Sequence, residues 1–404
     1  MHEQVSGMNN NFQKRNIEST LKRYLGLFPA VALTGPRQSG KSTLLREVFT
    51  PEYTYLTLDD PIAVDHLRED PRGFMKKYHE RIIFDEAQKA PELFNYLKIE
   101  IDNDRNNYGK FIITGSSQFN MIKDITESLA GRVGSLSLLP FEYNEIPAKN
   151  REKQILLGSY PELVMRGFTG TKEWYGSYIT HYVERDVRSL YNVGNLRDFQ
   201  RLLFLLAARC SQELNMSELA SEIGVSVKTI KSWISILEAS YIIFLLNPYH
   251  KNLGKRIVKR PKIYFYDTGV ICFLTGITSP ELLNNGPLGG PVFENYVIAE
   301  TLKRAKHTGQ NVSLFYFRSN LGIEVDLIIQ NTDTAELIFA EIKNTHTPRK
   351  KMVEPIIKLM KIENETEQIP PLKISGVLVY RGEDNGPMYD GVSIINYKNF
   401  ILDV

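Results

Sequence analysis

The chain has 404 residues, 42% of them hydrophobic and 24% charged, with a formal net charge of +2. This is the composition of an ordinary soluble globular protein with room for two or three domains, and the balanced charge leaves room for local basic patches. Cys210 and Cys272 stand far apart without companions at metal-ligand spacing, which excludes a disulfide framework or a cysteine zinc site and suits a reducing cytoplasm. No apolar run approaches the roughly 18 residues a membrane helix needs, and the first residues, MHEQVSGMNNNFQKR, lack the apolar core of a signal peptide.

The spacing of Ile17, Leu21, Tyr24 and Leu25 predicts a helix over 12–28. A buried strand follows at 31–33 and runs into Gly35, Pro36, Arg37, Gln38, Ser39, Gly40, Lys41, Ser42 and Thr43, which open a helix over 43–49. This is G-x-x-x-x-G-K-[ST] between a strand and a helix. The glycines let the loop turn its amides inward onto phosphate oxygens, and the helix N-terminus adds its positive dipole end. Lys41 reaches the β- and γ-phosphates and Ser42 holds Mg2+ in this pattern, which predicts a bound nucleoside triphosphate.

A β-rich run at 53–58 ends in Asp59 and Asp60, which either line the nucleotide site or cap the next helix. In the run RIIFDEAQ at 81–88, three apolar residues deliver Asp85 to the end of a strand. Asp85 there positions the Mg2+ water shell, and Glu86 polarises the attacking water as a general base. A strand at 111–114 leads to Gly115, Ser116 and Ser117. Ser116 is either a sensor of the γ-phosphate and water or a helix cap. Arg132, before a strand-like run at 133–139, is an arginine finger, a γ-phosphate sensor or a surface ion-pair residue. Strands alternate with helices up to about residue 145, as in a parallel sheet wrapped by helices, with the ligand at the carboxyl ends of the strands.

Beyond residue 150 helical patterns dominate. Residues 172–192 carry the charges Glu184, Arg185 and Asp186, either a solvated helix face or a contact with the first domain. Helices are expected at 199–209, 215–223 and 227–239, with Gly224 in the turn and Ser226 as N-cap. A strand at 241–246 and a basic tip with Lys251, Lys255 and Arg256 complete a winged-helix pattern. Lys228 and Lys231 on the third helix and Lys255 and Arg256 on the wing are the candidate DNA contacts; the alternative is a packing module between domains.

The run GPLGGP at 286–291 reads as a linker or boundary before a helix bearing Glu294. Strands at 313–317, 323–329 and 337–343 follow. Residues i and i+2 of a strand share a face, so Glu341 and Lys343 project together, with Asp326 one hairpin away. A helix glutamate, a strand aspartate and a strand Glu-x-Lys match the PD-(D/E)xK nuclease core. In that pattern Asp326, Glu341 and Glu294 hold Mg2+ and Lys343 orients or deprotonates water.

The ordered motifs GPRQSGKSTLL, TLDDP, IIFDEAQ, ITGSS, SLAGR, GSYPELV, YVERDV, KIYFYDTG, GPVFENYV, IEVDLII and AEIK extend over nearly the whole chain. In these the chain resembles a prokaryotic family of AAA-like P-loop ATPases, similar to archaeal ATPases near the STAND group, with a C-terminal restriction-endonuclease-like domain of unassigned function. The resemblance implies ATP and Mg2+ at Lys41, Ser42 and Asp85 with Glu86 for hydrolysis. It also implies an α/β architecture in three parts: a P-loop ATPase domain at 1–148, a helical and winged-helix domain at 149–270 and a nuclease-like domain at 271–404.

Three functions remain open on the sequence. The first is an ATPase coupling nucleotide state to DNA binding or processing. The second is an ATP-regulated, metal-dependent DNA nuclease. The third is an ATP-gated switch for a protein partner, with a vestigial nuclease fold. No membrane partner is expected, and a homo-oligomer is compatible with each.

Overall fold

A computed structural model describes residues 12–115, 129–180, 196–249, 260–319, 322–364 and 372–403. The chain divides into two compact units, residues 1–141 with 160–166 and 306–308, and residues 142–159 with 167–305 and 309–404. The expected middle and C-terminal parts thus share one unit.

The first unit is built on five parallel strands: β1 (Ala30–Thr34), β2 (Thr54–Thr57), β3 (Ile82–Asp85), β4 (Phe111–Thr114) and β5 (Val133–Ser137), in the order β2-β3-β4-β1-β5. β1, β3 and β4 are buried at every position, as a sheet covered on both faces requires. Alternation then divides their side chains between two cores. Ala32, Phe84 and Ile113 join Phe74, Leu93 and Leu97 on one face, while Leu33, Ile83 and Ile112 join Leu44 and Phe49 on the other. Each fully buried Leu, Ile or Phe stabilises the fold by about 1.5–3 kcal/mol before entropy is counted.

Local chemistry sets the helix starts. The helix Pro61–Glu69 begins at Asp60, whose side chain accepts from Ile62 N at 3.0 Å, with Pro61 at its first turn. Asp59 pairs instead with Lys89. The Asp59–Asp60 pair therefore serves a cap and a surface ion pair. The helix Lys41–Phe49 opens after Gly40, at φ 91°, a left-handed conformation that costs glycine nothing.

The second unit holds helices Leu196–Ala208, Met216–Ile223 and Val227–Ala239, then the antiparallel pair β6 (Ile243–Leu246) and β7 (Lys262–Phe265). Asn215 caps the second helix by accepting from Glu218 N, Gly224 ends it at φ 84°, and Ser226 caps the third by accepting from Thr229 N at 3.1 Å. Phe199 meets Trp233 edge-on at 5.6 Å in the core of this group.

A six-stranded mixed sheet follows, of β8 (Val312–Arg318), β9 (Glu324–Asn331), β10 (Glu336–Lys343), β11 (Lys373–Tyr380), β12 (Gly386–Pro387) and β13 (Val392–Asn396), in the order β12-β13-β11-β10-β9-β8. β8, β9 and β10 form an antiparallel meander, and the helix Glu354–Asn364 connects β10 to the parallel β11. Of the linker or boundary expected at 286–291, the linker is not found, since Gly289, Gly290 and Pro291 form the first turn of the helix Gly289–Thr308. Proline is tolerated in a first turn, and a Cβ on Gly289 would lie 2.3 Å from the carbonyl oxygen of Leu283, so close packing selects glycine there.

Candidate functional site

The loop 35–40 leaves the end of β1 under tight steric control. A Cβ on Gly35, at φ 144°, would fall 2.1 Å from the Leu138 carbonyl oxygen, so only glycine fits. Lys41 turns back into the loop, where its Nζ donates to the carbonyls of Gly35 at 2.9 Å and Pro36 at 2.8 Å. Burial pushes this ammonium down to about 8, against the opposing pull of Glu86 and Asp85. The Ser39 hydroxyl is buried without a hydrogen-bond partner. Arg15 braces the loop from outside, with Nη1 donating to Ser39 O at 2.8 Å and Nη2 to Leu139 O at 2.7 Å.

Asp85, at the end of β3, is buried and accepts from the hydroxyl of Tyr55. Burial raises its pKa, and the Tyr55 hydrogen bond, which favours the carboxylate, restrains the rise. Tyr55 is itself pushed up to about 12, by burial and then by the carboxylate it serves. The Tyr55 ring carries the Arg46 guanidinium at 4.3 Å from its centroid. Glu86 takes a left-handed backbone conformation, φ 55°, which costs a non-glycine residue about 1 kcal/mol or more. Its Oε2 accepts from the Gln88 side chain. Thr114 ends β4 in register with Leu33 of β1, and its hydroxyl is fully buried with no hydrogen-bond partner.

Lys41, Ser42, Asp85 and Glu86 are therefore gathered at the carboxyl ends of β1 and β3, where the sequence pattern puts them. Ser116 lies outside the described residues. Arg132 does not join the group. It precedes Val133, which is level with the first residue of β1, so about five strand residues, roughly 16 Å, separate it from the loop. The sequence reading missed Thr114, Tyr55 and Arg15. Thr114 stands inside the quoted motif ITGSS, whereas Tyr55 and Arg15 become visible only through strand pairing and loop contacts.

A cleft beside the loop is lined by Phe12, Gln13, Arg15, Gly40, Thr43, Phe141, Pro161 and Met165. Phe12, Phe141, Pro161 and Met165 give it an apolar wall next to the first turn of the helix Lys41–Phe49.

The second unit brings Asp326, Glu341 and Lys343 into contact, and Glu294 lies within electrostatic reach of all three. Lys343 Nζ lies 2.7 Å from Glu341 Oε1 and 3.3 Å from Asp326 Oδ2, and that Asp326 oxygen also accepts from Ile342 N at 2.9 Å. The other Glu341 oxygen is buried without a hydrogen-bond partner. Burial raises the pKa values of Glu294 and Glu341, and the Asp326 charge adds to each rise. Burial alone would lower Lys343, but Asp326 and Glu341 outweigh it and hold the ammonium above its ordinary value. An orphaned carboxylate oxygen among like charges fits a divalent cation. Tyr264 and Lys262, both on β7, extend this group. The sequence offered Lys262 as one of the basic residues close behind the wing tip, but it is buried, and Tyr264 appeared only within the run KIYFYDTG. Tyr264 Oη donates to Glu294 Oε1 at 2.6 Å.

On the helix Val227–Ala239, Lys228 and Lys231 are exposed while Ile230, Trp233, Ile234 and Leu237 are buried. Lys255 and Arg256 lie outside the described residues, as do Glu184, Arg185 and Asp186. Among the described residues no helix is long and apolar enough to cross a membrane.

Residues 27–147 match the family of an AAA domain. Residues 148–281 and 289–400 match two families described as domains of unknown function, DUF8612 and DUF4143. An uncharacterised protein of Mycobacterium tuberculosis, Rv2008c, is 30% identical over 383 residues, covering 94% of this chain and 82% of the relative. An uncharacterised protein of Methanocaldococcus jannaschii, MJ1544, is 25% identical over 367 residues, covering 82% of this chain and 79% of the relative. Among solved structures, the chain is similar to the Walker-type ATPase PABY2304 of Pyrococcus abyssi, with a TM-score of 0.48, 16% identity and coverage of 67% of this chain and 99% of that one.

Proposed function

We propose that this chain, which belongs to the same family as Rv2008c of Mycobacterium tuberculosis, is a Mg2+-dependent ATPase whose nucleotide state is coupled to DNA binding by its second unit. The observation that carries the ATPase reading is the buried Lys41, folded back onto the carbonyls of the loop that leaves β1, with Ser42 next in the chain and the buried Asp85 carboxylate at the end of β3. The match of residues 27–147 to an AAA domain supports it.

In this reading the amides of the loop 35–40 and Lys41 hold the β- and γ-phosphates, and Phe12, Phe141 and Met165 receive the base. Ser42 and Asp85 would hold Mg2+, which when bound neutralises charge on the phosphate oxygens. Glu86 accepts a proton from the attacking water, oriented by the Gln88 amide that donates to it. Thr114 supplies a hydroxyl to the water or the γ-phosphate, the role the sequence pattern offered to Ser116.

The DNA-binding part of the reading rests on the helix pair with its capped turn, followed by the antiparallel pair β6 and β7, an arrangement that suits a winged helix. Lys228 and Lys231 stand on the solvent face of its third helix, where they would meet phosphates. A second reading, an ATP-regulated nuclease, is favoured by the group Glu294, Asp326, Glu341 and Lys343 and its orphaned oxygen on Glu341. That group fits the PD-(D/E)xK pattern and a Mg2+ ion.

The deciding experiment measures ATP hydrolysis in Mg2+ with and without duplex, branched and single-stranded DNA, while labelled DNA is followed for cuts. Stimulated turnover with intact DNA is the expected result. Cutting that disappears in Asp326→Ala would make the nuclease the output. Turnover indifferent to DNA, with no cuts, would favour a protein partner, and full activity in Lys41→Ala would sink the ATPase reading.

A further inference from the structure

Strand β7 carries two polar side chains into the interior beside the acidic group. Lys262 is 3% exposed and Tyr264 is fully buried. Lys262 Nζ lies 3.6 Å from Glu294 Oε1, the oxygen that also accepts from Tyr264, and 2.7 Å from Glu324 Oε1. Its ammonium faces the Tyr316 ring at 5.3 Å from the centroid. The other carboxylate oxygen of Glu324 lies 3.8 Å from Arg318 Nε. The Glu294 side chain is 16% exposed, toward Asp326 and Glu341, whereas the Glu324 side chain is 38% exposed at the rim.

We propose that Lys262 is a built-in counter-cation of the acidic group, holding Glu294 against a divalent metal ion and releasing it by moving fully onto Glu324. The proposal rests on the reading of Glu294, Asp326 and Glu341 as a metal site. An ammonium and a divalent ion repel each other strongly at contact distance in a poorly solvated interior, so both cannot rest against one Glu294 oxygen. A buried ammonium in turn needs a hydrogen-bonded partner to offset its lost hydration. Glu324 provides that partner, already within hydrogen-bond distance, and the flexible four-carbon stem of lysine allows the transfer without moving β7. Lys343 is placed differently. Both of its carboxylate partners, Asp326 and Glu341, belong to the group itself, so it has no comparable exit.

The test is Mn2+ binding to the full chain without nucleotide, by titration calorimetry, with Asp326→Asn identifying the component that belongs to this group. Lys262→Met is expected to tighten that component at least fivefold. Glu324→Gln, which leaves Lys262 to Glu294 alone, is expected to weaken it at least threefold, and to have less than a twofold effect in the Lys262→Met background. Unchanged or weaker Mn2+ binding in Lys262→Met overturns the proposal while leaving the metal site standing, and so does a Glu324→Gln effect that persists undiminished in the double variant. If Lys262→Met does not fold, unaltered binding in Glu324→Gln overturns it. Absence of any Asp326-dependent binding, in the native chain and in every variant, instead removes the metal-site reading and the proposal with it. Binding that appears only in Lys262→Met supports both.

Discussion

Arg132 is held by both oxygens of Asp102, with Nε 2.6 Å from Oδ1 and Nη2 2.9 Å from Oδ2. The pair sits before β5, at the edge of the sheet away from the phosphate loop. A planar guanidinium gripped in this way, at roughly 16 Å from its own loop, can meet a γ-phosphate only on another chain. Arg132→Ala is expected to leave ATP affinity within twofold and to leave turnover of dilute protein unchanged. Any rise in specific activity with protein concentration should vanish in the variant. Turnover measured over a hundredfold range of concentration checks both.

Lys41 is buried, and its pKa falls from the ordinary value to about 8. A lysine depressed in the folded state binds fewer protons there than in the unfolded chain between that value and the ordinary one. Stability without nucleotide should therefore rise as pH is raised from about 8 toward 10.5, so far as Lys41 contributes. Lys41→Met removes the buried charge and should flatten that rise, increase the Tm of the nucleotide-free protein near pH 7 and abolish the Tm increase caused by ATP. Thermal unfolding at several pH values, with and without ATP, measures each effect.

The Tyr55 hydroxyl bonds to the carboxylate of Asp85 and restrains its rise in pKa. Tyr55→Phe removes that donor, so Asp85 should protonate at higher pH. The acidic limb of the ATPase profile is expected to move upward by about half a pH unit to one unit, with turnover at pH 8 reduced less than at pH 6. A parallel drop at every pH would show that Tyr55 acts only on packing.

Thr114 offers a buried hydroxyl with no hydrogen-bond partner, a group that costs about 1–3 kcal/mol when left unsatisfied. Thr114→Val keeps the shape and discards the hydroxyl. The variant should be at least as stable as the native chain, yet hydrolyse ATP about tenfold more slowly with little change in KM. Equal turnover would assign Thr114 to packing alone.

Where the candidate site draws on residues close together in sequence, their placement was legible. The loop 35–42 announces its own turn, because Gly35 has no room for a side chain and Gly40 takes a left-handed backbone, and the apolar run before Asp85 forms the expected buried strand. Asp326, Glu341 and Lys343 were legible for a related reason: strand alternation places i and i+2 on one face, and the meander brings β9 against β10. Glu294 was added from the helix before them. What stayed hidden depends on contacts across long separations. Tyr55 reaches Asp85 because β2 pairs with β3, and Lys262 reaches Glu294 because β7 lies near a helix that begins 27 residues later. The same blindness left 286–291 open as a linker, since Gly and Pro mark a helix start as readily as a loop. Of Asp59 and Asp60, left undecided between site and cap, Asp60 caps a helix and Asp59 pairs with Lys89.

The group around Glu294 straddles a seam. Lys262 and Tyr264 belong to the stretch matching one family of unknown function, and Glu294, Asp326, Glu341 and Lys343 belong to the stretch matching the other. A gene fragment encoding only residues from Gly289 onward would carry Glu294 without the tyrosine and the ammonium that accompany it here. Exchange of either stretch between distant relatives would join a carboxylate from one lineage to partners from another. These two stretches are therefore expected to be inherited as a pair.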